Sequence, residues 1–252
     1  MKPKIIAVVN QKGGVGKTTT TINVAAQLAM DNHSVLVVDL DPQGNASSGL
    51  GLDKSAGASM YEVLSGTAQL ASAVLETNVA KLFVVPSNPN LAGSEIELVS
   101  ALQREFVLSR VLANATYEYI LIDCPPSLGL LTINALTAAG SVLIPVQAEY
   151  YALEGLSQLL NTIQAVRGST NPSLELLGIV LTMFDKRNSL SDQVLSEVRG
   201  YFGEKLFKTL IPRNVRLAEA PSYGRTIFEH DKWSKGARAY KSLAREILDR
   251  TK

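Results

Sequence analysis

Short apolar runs rich in β-branched residues alternate along this chain with longer stretches whose apolar positions recur every three to four residues. The run at 5–9 predicts a first strand. Beyond it, Ile22, Ala25, Ala26 and Ala29 share one face of a helix that begins near Lys17. Further strands are predicted at 35–39, 82–85, 119–123, 142–145, 177–182 and 207–211. Helices are predicted at 60–64, 91–113, 128–139, 152–167, 189–202 and from about Ala237 onward. Residues 44–49 read as a loop, 66–80 carry no pattern and 213–235 read as irregular. Strands alternating with helices imply right-handed crossovers and an α/β fold, a mostly parallel twisted sheet with helices on both faces. No Pro/Ser-rich or charge-run stretch supplies a linker, so residues 1–252 are expected to form a single domain.

Composition narrows the classes. Cys124 is the sole cysteine, which excludes an internal disulfide framework and an iron–sulfur site built by one chain, and fits a reducing, cytoplasmic setting. No apolar run reaches the length of a membrane span, and the opening Met1-Lys2-Pro3-Lys4 run is too short for a signal peptide. His33 and His230 stand alone, without metal-ligand spacing, and are expected at the surface or in turns; Trp233, Tyr150 and Tyr151 read as packing residues. Tyr240, Leu243, Ala244, Ile247 and Leu248 form an apolar stripe on the last helix, expected to dock on the core and not on a membrane. The net charge of +1 conceals a division. Residues 1–182 hold 9 Lys+Arg against 14 Asp+Glu, whereas 183–252 hold 15 against 9, leaving a basic final third.

The candidate chemistry begins where the first strand gives way to the first helix, at Asn10-Gln11-Lys12-Gly13-Gly14-Val15-Gly16-Lys17-Thr18-Thr19. Glycines let the backbone turn tightly so that successive N–H groups face phosphate oxygens, and the helix directs its positive end to the same place. Lys17 would sit on the β- and γ-phosphates of ATP and the Thr18 hydroxyl on Mg²⁺. A strict phosphate-loop motif wants Gly where this chain has Gln11, and it lacks the second lysine, Lys12. Three acids end strands: Asp39 and Asp41 in Asp39-Leu40-Asp41-Pro42-Gln43-Gly44-Asn45, and Asp123 in Ile122-Asp123-Cys124-Pro125-Pro126. Ligands in such sheets bind outside the carboxyl ends of the strands. Asp123 suits holding a water of the metal shell, Asp41 suits positioning a nucleophile, and Asp39 reads as a cap.

Lys12-Gly13-Gly14-Val15-Gly16-Lys17-Thr18-Thr19 resembles the deviant phosphate loop of the ParA/MinD superfamily. The run from Asp39 to Ala46, the run Pro145-Val146-Gln147-Ala148-Glu149-Tyr150-Tyr151-Ala152-Leu153-Glu154-Gly155, and the run from Ile211 to Gly224 are similar to the Soj-like chromosomal ParA subgroup. The resemblance covers essentially the whole chain and implies an ATP- and Mg²⁺-dependent sandwich homodimer. In it Lys12 neutralises phosphate charge on the partner's nucleotide, and residues 13–19 cradle the phosphates. Asp41 orients the attacking water and, with Asp123, supports the metal through water. Pro212 and Asn214 line the adenine. It further implies non-specific binding of double-stranded DNA through Arg187 and Arg216, a nucleoid-associated location, and stimulation of hydrolysis by a ParB-like centromere-binding protein. Lys232, Lys235, Lys241 and Arg245 stand as candidates to widen the basic patch. Only nine residues precede Asn10, so no helix-turn-helix module for operon repression is expected. A MinD-like membrane-surface ATPase is the rival, disfavoured by Pro42-Gln43-Gly44-Asn45; a relative positioning a plasmid, chemoreceptor cluster or carboxysome is a second. A small-molecule ligase or kinase on the same loop is a third, for which no substrate pocket is identifiable.

Overall fold

The computed structural model describes residues 2–53, 57–149 and 154–252. Among them seven strands form one sheet: β1 (Lys4–Val8), β2 (Val35–Asp39), β3 (Leu75–Glu76), β4 (Leu82–Val85), β5 (Tyr119–Asp123), β6 (Ser141–Gln147) and β7 (Glu175–Thr182). Their order is β3-β4-β2-β5-β1-β6-β7, parallel throughout except for β3, which pairs antiparallel with β4. The predicted mostly parallel α/β fold is therefore observed. Central strands are buried on both faces, as their unbroken apolar runs require. Alternate side chains feed two separate cores. Ala7, Val38, Ile122 and Ile144 point into one, covered by α3 (Met60–Leu64), α6 (Val107–Leu112), α7 (Leu130–Ala138), α8 (Glu154–Ser169) and α9 (Ser189–Phe202). Ile6, Val8, Val37, Leu121 and Leu143 point into the other, covered by α1 (Lys17–Met30) and α12 (Lys235–Arg250). The stripe of α12 is docked there, with Tyr240, Leu243, Ala244 and Ile247 buried and the Tyr240 hydroxyl 3.1 Å from Thr20 Oγ1.

Four segments differ from their predicted form. Residues 45–49 are not loop but a short helix, α2 (Asn45–Gly49), because buried Asp39 accepts from both the backbone N–H and the hydroxyl of Ser47 (2.8 and 2.6 Å). The predicted helix 91–113 is broken: α5 (Leu91–Glu97) passes into 3₁₀ turns, and Gln103 turns left-handed (φ 51°) before α6. Its apolar periodicity misleads because Ile96, Val99 and Leu102 face outward. Residues 207–211 run beside β7, with Phe207 N donating to Ile179 O and Ile211 N to Leu181 O (2.8 and 2.9 Å), yet form no ladder. The intervening N–H groups of Lys208 and Thr209 are taken by Glu246 of α12 at 2.9 and 2.8 Å. The stretch 213–235, expected to be irregular, holds α10 (Val215–Glu219), a 3₁₀ turn at Ala220–Tyr223 and α11 (Ile227–Asp231). Residues 66–80, where no pattern was readable, contain α4 (Leu70–Ala73) and β3.

Just after α2 the chain meets a distant segment. Gly51 and Gly224, both at positive φ (79° and 60°), touch backbone to backbone. A Cβ on Gly224 would lie 2.6 Å from Gly51 Cα, and one on Gly51 would lie 2.8 Å from Gly224 O.

Candidate nucleotide site

The glycine-rich loop leaves the carboxyl end of β1 and enters α1 through Gly16, which adopts φ 85° and carries no side chain to cap the helix. The first-turn N–H groups of α1 therefore lack a capping side chain and face the cleft, the arrangement an anion needs. Asn10 pins the loop at one end, donating to Pro145 O (2.8 Å) and accepting from Lys12 N (3.0 Å). Thr182 pins the other, its hydroxyl donating to Val15 O at 2.8 Å. Lys17 is buried, its ammonium 3.2 Å from Lys12 O; burial lowers its pKa, opposed by the carboxylates of Asp123 and Asp41.

Asp123 ends β5 directly beneath. It is fully buried and accepts from the Thr18 hydroxyl at 2.8 Å and the Thr21 hydroxyl at 3.0 Å. Burial first, and the neighbouring Asp39 second, push its carboxyl well above the ordinary carboxylate range. Asp39 is raised as well, chiefly by burial. Asp41 is buried, its side chain accepting from Gln43 N at 3.0 Å. A cleft of about 540 Å³ brings together Gly13, Gly14, Gly16, Lys17, Thr18, Thr19, Asp41, Pro126 and Met183. An adjoining hollow of about 220 Å³ shares Gly16, Thr19 and Met183 and is lined by Ile211, Pro212, Asn214 and Leu217. The phosphate loop and Asp41 thus line one cleft, and Pro212 and Asn214 line the hollow that adjoins it. A Thr hydroxyl beside a carboxylate, facing a helix N-terminus, is a hard-oxygen donor set that fits Mg²⁺.

Lys12 pairs with the acid that follows β6, its ammonium 3.2 Å from Glu149 Oε2, with both side chains close to half exposed. Glu149 also accepts from the Gln147 carboxamide. Arg187 and Arg216 lie at the same edge of the sheet, and each is held by acids: Arg187 forks onto Asp185 at 3.1 and 3.0 Å, and Arg216 meets Glu219 at 2.9 Å. Asn214 caps α10, accepting from Arg216 N at 2.8 Å. Sequence reasoning missed Thr21, Thr182, Asn10 and Glu149. Only Thr21 carried a readable signal, a hydroxyl one helical turn beyond Lys17 on the buried face.

Other expectations resolve as follows. Cys124 is buried. His33 pairs with Glu118 at 2.7 Å, whereas His230, expected at the surface or in a turn, lies within α11 with 14% of its side chain exposed and stacks on Tyr223. Trp233 is not a packing residue: it is 76% exposed. Tyr150, Tyr151 and the predicted helix start at 152–153 lie outside the described residues. No described helix is long and apolar enough to cross a membrane.

A parallel sheet whose first strand runs through an uncapped glycine turn into a helix, with Lys and Thr at its start and an acid on a neighbouring strand, defines a P-loop nucleotide-binding protein. The family model described as "AAA domain" matches residues 3–176. Soj, the sporulation initiation inhibitor protein of Bacillus subtilis, is 55% identical over 97% of this chain and 98% of its own. The chromosome-partitioning ATPase Soj of Treponema pallidum is 50% identical over 98% of each. A crystal structure titled cobyrinic acid a,c-diamide synthase from Mycobacterium smegmatis, with bound ATP analogue and magnesium, superposes with a TM-score of 0.86 at 39% identity, covering 98% of this chain and 94% of that one. The chain belongs to the ParA/Soj family of chromosome-partitioning ATPases.

Proposed function

We propose that this ATPase is a dimerisation switch: it binds double-stranded DNA without sequence preference in its ATP state and releases it on hydrolysis stimulated by a ParB-like partner. The observation that carries this reading is the layout of one sheet edge. Met183 lines both the phosphate-loop cleft and the hollow beside it, and the segments that follow β7 and precede α10 run side by side, Arg213 N donating to Phe184 O at 3.1 Å. Those two segments lead on to Arg187 and Arg216, so one edge of the sheet connects the candidate site to both cations.

Within the cleft the N–H groups of Gly13 to Thr19 and the Lys17 ammonium would hold the phosphates. Thr18, with Asp123 and Asp41 acting through water, would hold magnesium, which supplies charge neutralisation on the phosphate oxygens when bound. Asp41 orients the attacking water and accepts a hydrogen bond from it. Lys12, half exposed and paired with Glu149, would serve the nucleotide of a second subunit in such a dimer; moving it there means leaving Glu149, an exposed ion pair worth only about 0–1 kcal/mol. Turnover is therefore expected to wait on dimerisation and to be slow alone. A cytoplasmic protein carried on the nucleoid follows from this reading.

The test is binding to two unrelated duplexes, with ATP and with ADP, over a salt series. Equal, salt-sensitive binding to both only with ATP supports the switch. Absence of binding in every nucleotide state would withdraw the DNA surface and favour the membrane-surface reading, checked by liposome flotation with ATP.

A further inference from the structure

The turn between α11 and α12 displays the chain's sole tryptophan, 76% exposed, with the Lys232 ammonium 5.3 Å from its ring centroid. A large aromatic left in water beside a cation offers a partner an apolar face and a positive charge together. Asp231 ties this turn to Arg216: one carboxylate oxygen accepts from Trp233 N at 3.1 Å and the other lies 3.8 Å from Arg216 Nε. On the other flank Arg216 shares Glu219 with His230, and His230 is stacked on Tyr223, itself 65% exposed. Two exposed aromatics therefore bracket one arginine through shared carboxylates.

We propose that Trp233 is a direct contact to DNA, its indole packing against sugar and base edges while Lys232 and Arg216 take flanking phosphates; this rests on the DNA-binding reading above. The ligand this surface suits is a polyanion that presents apolar sugar and base-edge atoms between its charges, and a DNA duplex offers both. An anionic membrane offers charge and apolar depth, but insertion needs an amphipathic helix face, and that of α12 is spent on the core. The indole supplies a part of the affinity that salt does not screen, which phosphate contacts alone cannot.

Because Trp233 is the sole tryptophan, its emission reports this site directly. Titrating the ATP-bound protein with an unlabelled duplex should change that emission in step with binding followed by anisotropy of the same duplex carrying a dye. Trp233→Ala should weaken binding about five- to tenfold at unchanged salt slope. Trp233→Phe should recover most of the loss, and Lys232→Ala should lower the slope by about one. An unaltered melting temperature controls for folding. Constant emission at saturating duplex, with full affinity in Trp233→Ala, overturns the inference and leaves the DNA-binding reading intact. No anisotropy change with the native protein overturns both. Emission that shifts with phosphatidylglycerol vesicles but not with duplex reassigns the surface to a membrane.

Discussion

Asp123 and Asp39 are buried carboxyls a few residues from the expected phosphates, and both are held above the usual carboxylate range. A carboxyl raised in the native state keeps its proton where the unfolded chain, near pH 4, has already released it. The stabilisation is therefore full below about pH 4 and declines as pH rises through the raised native values. Without ligand, the melting temperature should fall across that window, and Asp39→Asn should flatten the fall; a profile indifferent to this substitution would count against the assignment. For Asp41→Ala we expect phosphate release to drop by about two orders of magnitude or more, while ATP-dependent DNA binding persists; turnover near the native rate would remove Asp41 from the chemistry. At this scale the sequence was legible wherever a residue acts through its own motif. Lys17, Thr18 and Asp123 come together as their places at a helix start and a strand end implied. Glu149 and Thr182 did not announce themselves: like Asp123 each reaches the loop from more than a hundred residues away, but neither is an acid closing an apolar strand, the pattern that marked Asp123. Trp233 misread because an aromatic's type says nothing of which way its turn faces.

Elements whose apolar residues meet a core declare themselves. The helix 189–202 was read to the residue, and the predicted stripe of α12 is the face that docks. Leu243→Ala should cost about 2–5 kcal/mol, lowering the melting temperature by roughly 2–4 °C for each of these in a chain of this size. Where a side chain outside the segment settles the backbone, the segment's own pattern fails. Glu246 draws two N–H groups away from a would-be strand, and Asp39 coils a would-be loop into α2. The same holds at Gly224, in a segment that sequence alone left irregular. Gly224→Ala forces a Cβ onto Gly51 at positive φ and should cost about 1–3 kcal/mol, measured by urea unfolding; a neutral result would mean that the two segments separate easily.

For the whole molecule, near-zero net charge hides a basic third whose two expected DNA contacts stand on one edge. Such contacts touch phosphates, so Arg187→Ala and Arg216→Ala should each weaken every duplex alike and reduce the slope of log affinity on log salt by about one. Unequal losses between two unrelated duplexes would instead indicate base readout. Their carboxylate partners temper this field: Asp185, drawn down to about 2 by the Arg187 hydrogen bonds, remains an anion at every pH at which DNA binding would be tested. The meeting of Gly51 with Gly224 then acquires a mechanical sense. One arm of it leads back through α2 to Asp41, the other to the aromatic surface around Arg216. Where two backbones touch with no side chain between them, there is nothing soft to compress. On the proposed switch, a shift on the phosphate side would be passed on as displacement, like a rod bearing on a hinge, with no side chain in between to absorb it.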